Sequence, residues 1–176
     1  LADALGGGGQ VIVDVIPLAE RLIGPQPALP ALGPAEAQNR FNLVFQRFLG
    51  VFARPEHPLA LSLDDLQWVD RATLDLLQHL ATHPDVRHLL LIGAYRDNEV
   101  SLIHPLMRMR EGIVKAGRSI HDIVLTPLVA DDVSRLVADT MRCDPASAQP
   151  LTALVQEKTR GNPFFAIQFI SALADE

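Results

Sequence analysis

Cysteine and lysine are nearly missing from this chain of 176 residues: Cys143 is alone, and the lysines are Lys115 and Lys158. A lone cysteine excludes a disulfide framework and a cysteine metal knuckle, and it makes the reducing cytosol the expected, cytoplasmic compartment. With 15 basic against 21 acidic side chains the formal charge is −6. No basic stripe is available to follow a phosphate backbone, so direct nucleic-acid binding is not expected. Long apolar runs are absent as well. The longest are of strand length, too short to cross a membrane, and no charged start followed by an apolar stretch marks a secretory signal. What remains is 48% hydrophobic, enough for a core and one domain, or one domain with a small appendage.

Gly6-Gly7-Gly8-Gly9 invites comparison with phosphate-binding loops, because glycine backbone can approach an anion closely. Such a loop needs Gly-Lys-Ser/Thr opening a helix, and neither lysine follows a glycine. The glycines therefore read as a flexible turn. Prolines at 17, 25, 27, 30 and 34 then interrupt regular structure and predict a surface connection. From Ala35 the spacing of Phe41, Phe45, Phe48, Leu49 and Phe52 predicts one face of a core helix, with Arg40 and Arg47 off its centre as solvated charge.

Next comes Leu59-Ala60-Leu61-Ser62-Leu63, which runs into Asp64-Asp65. A short apolar run bounded by Pro58 and by charge predicts a strand covered on both faces. Successive side chains alternate across a strand, so the two carboxylates should leave the sheet in different directions. One aspartate there would be read as a helix cap; an adjacent pair points to function, because ligands of open parallel sheets bind beyond the carboxyl ends of the strands. Asp70 has the position of a cap for a helix carrying Leu74, Leu77, Leu80 and Ala81. His79 and His83 share a face of it, but the Glu that a zinc-protease helix places beside the first histidine is Leu80 here, so both are expected to be surface histidines. Leu89 to Tyr95 predicts a second buried strand, ending in Arg96-Asp97-Asn98-Glu99. Strand, helix and strand in that order form a right-handed parallel crossover, which puts Asp64, Asp65 and Arg96 on one rim.

Leu102 to Val114 predicts a helix, and Ile120 to Leu125 a third strand. The remainder is helical. Asp131 and Asp132 suit a first turn, followed by Val133, Leu136, Val137 and Thr140 at helical spacing. Leu151, Leu154, Val155 and Lys158 mark the next helix, stopped by Gly161. Asn162 and Pro163 have the chemistry of a cap and a first helical residue, with Phe165, Phe169, Ile170 and Leu173 as the expected buried face.

Taken in order, Leu63-Asp64-Asp65-Leu66-Gln67-Trp68-Val69-Asp70, Gly93-Ala94-Tyr95-Arg96-Asp97-Asn98-Glu99 and Lys158-Thr159-Arg160-Gly161-Asn162-Pro163-Phe164-Phe165 resemble the predicted-ATPase module of the STAND class. These are signal-transduction P-loop ATPases related to AAA+ proteins, and this version is similar to the ATPase region of large bacterial Ser/Thr-kinase and histidine-kinase signalling proteins. The resemblance covers nearly the whole chain. It implies an α/β fold: a partial P-loop NTPase (ASCE/AAA+-like) parallel sheet with flanking helices over residues 1–126, then a small helical lid over 127–176. It further implies ATP/ADP and Mg²⁺ as ligands, with Asp64 as the Walker B carboxylate on the metal and Asp65 orienting the attacking water. Arg96 would be the sensor arginine, and Gly161, Asn162 and Pro163 the lid's contact with the nucleotide. Fused or associated kinase and regulatory domains are the implied partners, together with a nucleotide-dependent oligomer. The family's Walker A loop does not occur in these residues. Because the chain opens on Leu1 rather than Met, the expectation is an excerpt whose loop and first strands lie upstream. The competing expectation is a degenerate, non-hydrolysing scaffold on the same fold.

Overall fold

The structure, a computed structural model, describes residues 1–174 and divides into two compact units, Leu1–His121 and Asp122–Glu176.

The first unit begins with a short helix α1 (Ala2–Leu5), a tight turn at Gly6–Gly8, and α2 (Gly9–Val15), followed by α3 (Glu20–Ile23). The glycines form a turn, as the sequence suggests. Gly8 lies so close to the Val44 side chain that a Cβ would overlap it, and a glycine backbone is what permits that approach. The long helix α4 (Pro34–Phe52) starts with Pro34 in its first turn, where a missing N–H costs nothing. Its apolar side buries Val44 and packs Phe41, Phe45 and Phe48 around Leu5, Val11, Ile12 and Ala19. The rings stack along one stripe, with Phe41 and Phe45 centroids 5.5 Å apart and Phe45 and Phe48 5.9 Å apart.

Two backbone hydrogen bonds between Arg54 and His57 fold the chain back into β1 (Leu59–Leu63). Helix α5 (Arg71–Thr82) carries it over to β2 (Leu89–Gly93), which pairs parallel to β1 with Leu59 beside Leu89 and Leu63 beside Gly93. α5 is buried along two lines. Leu74 and Leu77 join Leu66 and Leu106 of the next helix, α6 (Pro105–Lys115), while Leu76 and Leu80 meet Leu49 of α4 and the leucines of the strands. α6 begins later than the apolar pattern suggests, because His104 Nδ1 accepts the Leu106 N–H at 3.2 Å and caps the helix there.

Two strand expectations are corrected. β1 and β2 are covered on one face only: Ala60 and Ser62 are exposed, and their register partners Leu90 and Ile92 are 59% and 48% exposed. Helices lie against the leucine side, whereas the other side carries no layer among the described residues. Ile120 to Leu125 is not a strand. That stretch has no ladder partner among the described residues, and Ile123, Val124 and Leu125 are exposed. A β-rich composition gives a strand only where a neighbouring backbone takes its hydrogen bonds.

Among the described residues the second unit holds three helices, α7 (Ala130–Met141), α8 (Pro145–Thr159) and α9 (Pro163–Ala174). Val133, Val137, Ala138, Ala148, Val155, Ala166 and Ile170 form its core. Asp144 caps α8, accepting from the Ala146 and Ser147 N–H groups and from the Ser147 hydroxyl; these bonds hold its carboxyl below the ordinary value. The buried face of α9 is Ala166 and Ile170 with Phe169 half-buried, whereas Phe165 and Leu173 are exposed, contrary to the spacing argument.

Leu80→Ala removes a side chain 2% exposed from the α4, α5 and strand cluster and is expected to cost about 2–5 kcal/mol in urea unfolding. Val124→Thr, at a position 78% exposed, is expected to stay within about 0.5 kcal/mol. A loss at Val124 comparable with that at Leu80 would restore the third strand.

Candidate functional site

At the end of β1 the backbone reverses abruptly. Asp64 is exposed, and its Oδ1 accepts the Asp65 N–H at 2.8 Å. Asp65 itself adopts the left-handed conformation, φ 53° and ψ 40°, which few side chains tolerate as well as Asp or Asn. Leu66 then turns inward beneath Gly93, where a Cβ would collide with it, and its N–H donates to the Ala94 carbonyl at 3.0 Å. The Ala94 N–H in turn donates to the Leu63 carbonyl at 2.8 Å. The two strand ends are thereby tied together one residue beyond the sheet.

Gln67 completes the tie. Its side chain is 7% exposed; its Nε2 donates to Asp65 Oδ1 at 2.8 Å, and its Oε1 accepts the Arg96 N–H at 3.2 Å. One buried amide thus spans from the second carboxylate to the backbone of the arginine. The Arg96 guanidinium reaches Asp65 Oδ1 at 3.9 Å and Glu99 Oε1 at 3.1 Å, and lies 5.5 Å from the centre of the Trp68 ring. The side chains of Asp65 and Arg96 are 42% and 57% exposed, so water screens their attraction and the pair orients more than it stabilises. Asp64, Asp65 and Arg96 do therefore meet on one rim, with Asp64 facing solvent and Asp65 facing the arginine.

The charge balance of this rim favours a cation. Asp64, Asp65, Asp97 and Glu99 outnumber the single guanidinium. Among the described residues no group of three His, Cys, Asp or Glu side chains could enclose a metal. One exposed carboxylate beside open solvent suits Mg²⁺, which keeps several waters and takes its other ligands from phosphates. Asp64 fits that role chemically, since among the described residues its carboxylate accepts from a neighbouring backbone N–H and is otherwise open to solvent.

Asp70 is a helix cap: the Thr73 N–H donates to its Oδ1 at 3.0 Å and the Thr73 hydroxyl to its Oδ2 at 2.8 Å, which holds its carboxyl below the ordinary value. Gly161, Asn162 and Pro163 belong to the second unit, where Gly161 is buried in a tight turn and the exposed Asn162 and Pro163 start the next helix. Gly161 has φ 75°, and a Cβ there would run into the Leu128 carbonyl; its own carbonyl accepts the Leu128 N–H at 2.8 Å. Asn162 Oδ1 accepts from the N–H groups of Phe164 and Phe165, and Pro163 opens α9. Gln67, Trp68 and Glu99 lie within the motifs quoted from the sequence, but the sequence assigns none of them a role. A glutamine two residues after the acidic pair was the available signal, but composition does not distinguish a buried amide from a solvated one.

A family model described as the AAA ATPase domain matches residues 3–92, just over half of the 176. The chain belongs to this family. The matched part of the AAA ATPase domain contains Asp64, Asp65 and Gln67 and stops before Arg96 and the helical unit. The whole chain also aligns with hybrid signal transduction histidine kinase G of Dictyostelium discoideum, 26% identical over 239 residues. It spans 7% of that relative's length. No solved structure matches it significantly.

Gln67→Leu keeps the volume and deletes both bridging bonds. The expected cost is about 1–3 kcal/mol, with faster amide hydrogen exchange at Leu66 to Trp68 and at Arg96; unchanged exchange there would show that the amide ties nothing. Gly161→Ala combines a positive φ with a backbone collision and should lose about 1–3 kcal/mol or more. Its loss of exchange protection should be confined to α7, α8 and α9.

Proposed function

We propose that this chain is part of a nucleotide-operated signalling switch of the STAND type, acting on ATP with Mg²⁺. The observation that carries this reading is the tie across the strand ends, which sets an exposed carboxylate, a second carboxylate and an arginine side by side on a rim short of positive charge.

Each group has a role that its surroundings permit. Asp64, the Walker B residue in this reading, would hold Mg²⁺ through water, and the ion would neutralise charge on the β- and γ-phosphates. Asp65 would accept a hydrogen bond from the attacking water and orient it. Arg96 would read the γ-phosphate by charge-assisted hydrogen bonds, exchanging Glu99 and Asp65 for phosphate oxygens. Residues 1–126 would be core and residues 127–176 the lid, with Gly161, Asn162 and Pro163 as its nucleotide-contacting segment. ATP and ADP must then bind the lid's states unequally, since a ligand shifts an equilibrium only by its differential affinity. Similarity to part of a hybrid histidine kinase supports fused or associated kinase domains as partners; a cytoplasmic setting and a nucleotide-dependent oligomer would go with that reading. The scaffold alternative draws on the second unit, where a tight turn at Gly161, a cap at Asn162 and a helix start at Pro163 give these residues structural work without a nucleotide.

The 176 residues alone should neither bind MgATP tightly nor turn it over, because no Gly-Lys-Ser/Thr is present to grip the phosphates. Joined to a segment supplying that loop, the chain should hydrolyse ATP. Asp65→Asn should then lower kcat by about 10²–10⁴-fold with little change in nucleotide Kd. Equal losses of binding and turnover would remove Asp65 from its role, and tight binding without turnover in the unaltered protein would establish the scaffold.

A further inference from the structure

Helices α4 and α5 meet through more than leucines. Gln46 of α4 is buried, and its Oε1 lies 2.7 Å from His79 Nε2 while its Nε2 lies 3.0 Å from His83 Nδ1. The two imidazole centroids are 5.0 Å apart. The Asp85 backbone N–H also points at His83 Nδ1, at 3.3 Å. Donor and acceptor chemistry makes this triplet selective for protons. A carbonyl facing His79 requires a hydrogen on its Nε2, and two N–H groups facing His83 require a bare Nδ1.

With the amide in this sense His79 can be charged and His83 cannot. Turning the amide over would demand a neutral His79 with a bare Nε2 and a hydrogen on His83 Nδ1, which would then face the fixed Asp85 N–H. Neither sense accepts two imidazolium rings. We propose that Gln46, His79 and His83 form a proton-operated latch between α4 and α5, closed while the pair of rings carries at most one proton and released by the second.

The neighbouring charges set a modest background. Asp85 lies 3.9 Å from His83 Nδ1, but that carboxylate is 80% exposed. Against it stand Arg47 of α4 and Arg87, which line the same cavity of about 390 Å³ as His83, and Arg118, whose Nη2 is 3.5 Å from the His83 carbonyl. On the opposite flank of α5, Gln78 lies against Gly112 of α6. Of the charged residues of α6, Glu111 pairs with Lys115, Arg110 donates to Tyr95, and Arg108 completes the set. Burial and the adjacent His83 ring both hold the His79 imidazole below its ordinary value of 6.5. A depressed folded value means that the stabilisation is complete above about 6.5 and is lost as the pH falls through the folded value. Leu49, Leu76 and Leu80 continue to attract the helices, so release loosens the seam between the amino-terminal helices and the strand-bearing layer without unfolding the unit.

Titration of the histidine-labelled chain by NMR from pH 8 to pH 4.5 tests the latch directly. At pH 8 both rings should carry their hydrogen on Nε2. The pair should then take up its two protons in separate macroscopic steps, and the Gln46 side-chain amide signal should move with the second step. Below pH 6.5 the unfolding constant should rise about tenfold per pH unit for each proton taken up on unfolding. Gln46→Glu supplies an acceptor to both rings and should invert this trend, making the protein more resistant to urea at pH 5.5 than at pH 7.5. His83→Asn, the variant for the case in which Gln46→Glu does not fold, should lower the slope by one proton. Rings that titrate together beside an unmoved Gln46 amide, or a Gln46→Glu protein weakened equally at both pH values, would overturn the latch.

Discussion

The register of one parallel strand pair governs this molecule. Because Leu63 lies beside Gly93, Asp64 and Asp65 leave the sheet next to the segment that reaches Arg96. The Leu66 N–H and the Gln67 amide then lock the two departures together. A slip of one residue would turn every side chain of a strand to the other face, exchanging Leu59, Leu61 and Leu63 for Ala60 and Ser62 in the core. The leucines that hold the register on one side of the sheet therefore also fix the spacing of the charges at its end.

Helix α5 makes that register affordable for so small a sheet. Two strands alone are marginal in water. Here one face of the pair rests on a helix whose own leucines point two ways, towards α6 and towards α4. The helix ends are satisfied by Asp70 at the start and by the His83 N–H donating to the His79 carbonyl at the finish. The histidines of the last turn thus lie at the seam with α4, far along the helix from the carboxylates. The residues that match the AAA ATPase domain family, 3–92, take in β1, this helix and β2 as far as Ile92.

Much of this was legible in one dimension. Apolar runs of strand length with polar ends located β1 and β2, and the helix between them required a parallel pair. Asp64, Asp65 and Arg96 followed as neighbours from topology alone. Capping chemistry located Asp70 and Asn162 because those interactions span only a few residues. The misses have a common origin. The run from Ile120 to Leu125 has strand composition, yet nothing among the described residues pairs with it; Phe165 and Leu173 keep helical spacing but face away from the core of α9.

Local chemistry and periodicity therefore determined the order of elements, the strand-end acids and the caps, since each depends on residues close together along the chain. Tertiary structure alone decided which sheet face is covered, that Gln67 is buried and bridges Asp65 to Arg96, and that Gln46 joins His79 to His83 across 33 and 37 residues of sequence. Burial and long-range hydrogen bonding depend on what packs from elsewhere, and no spacing within a single element encodes that.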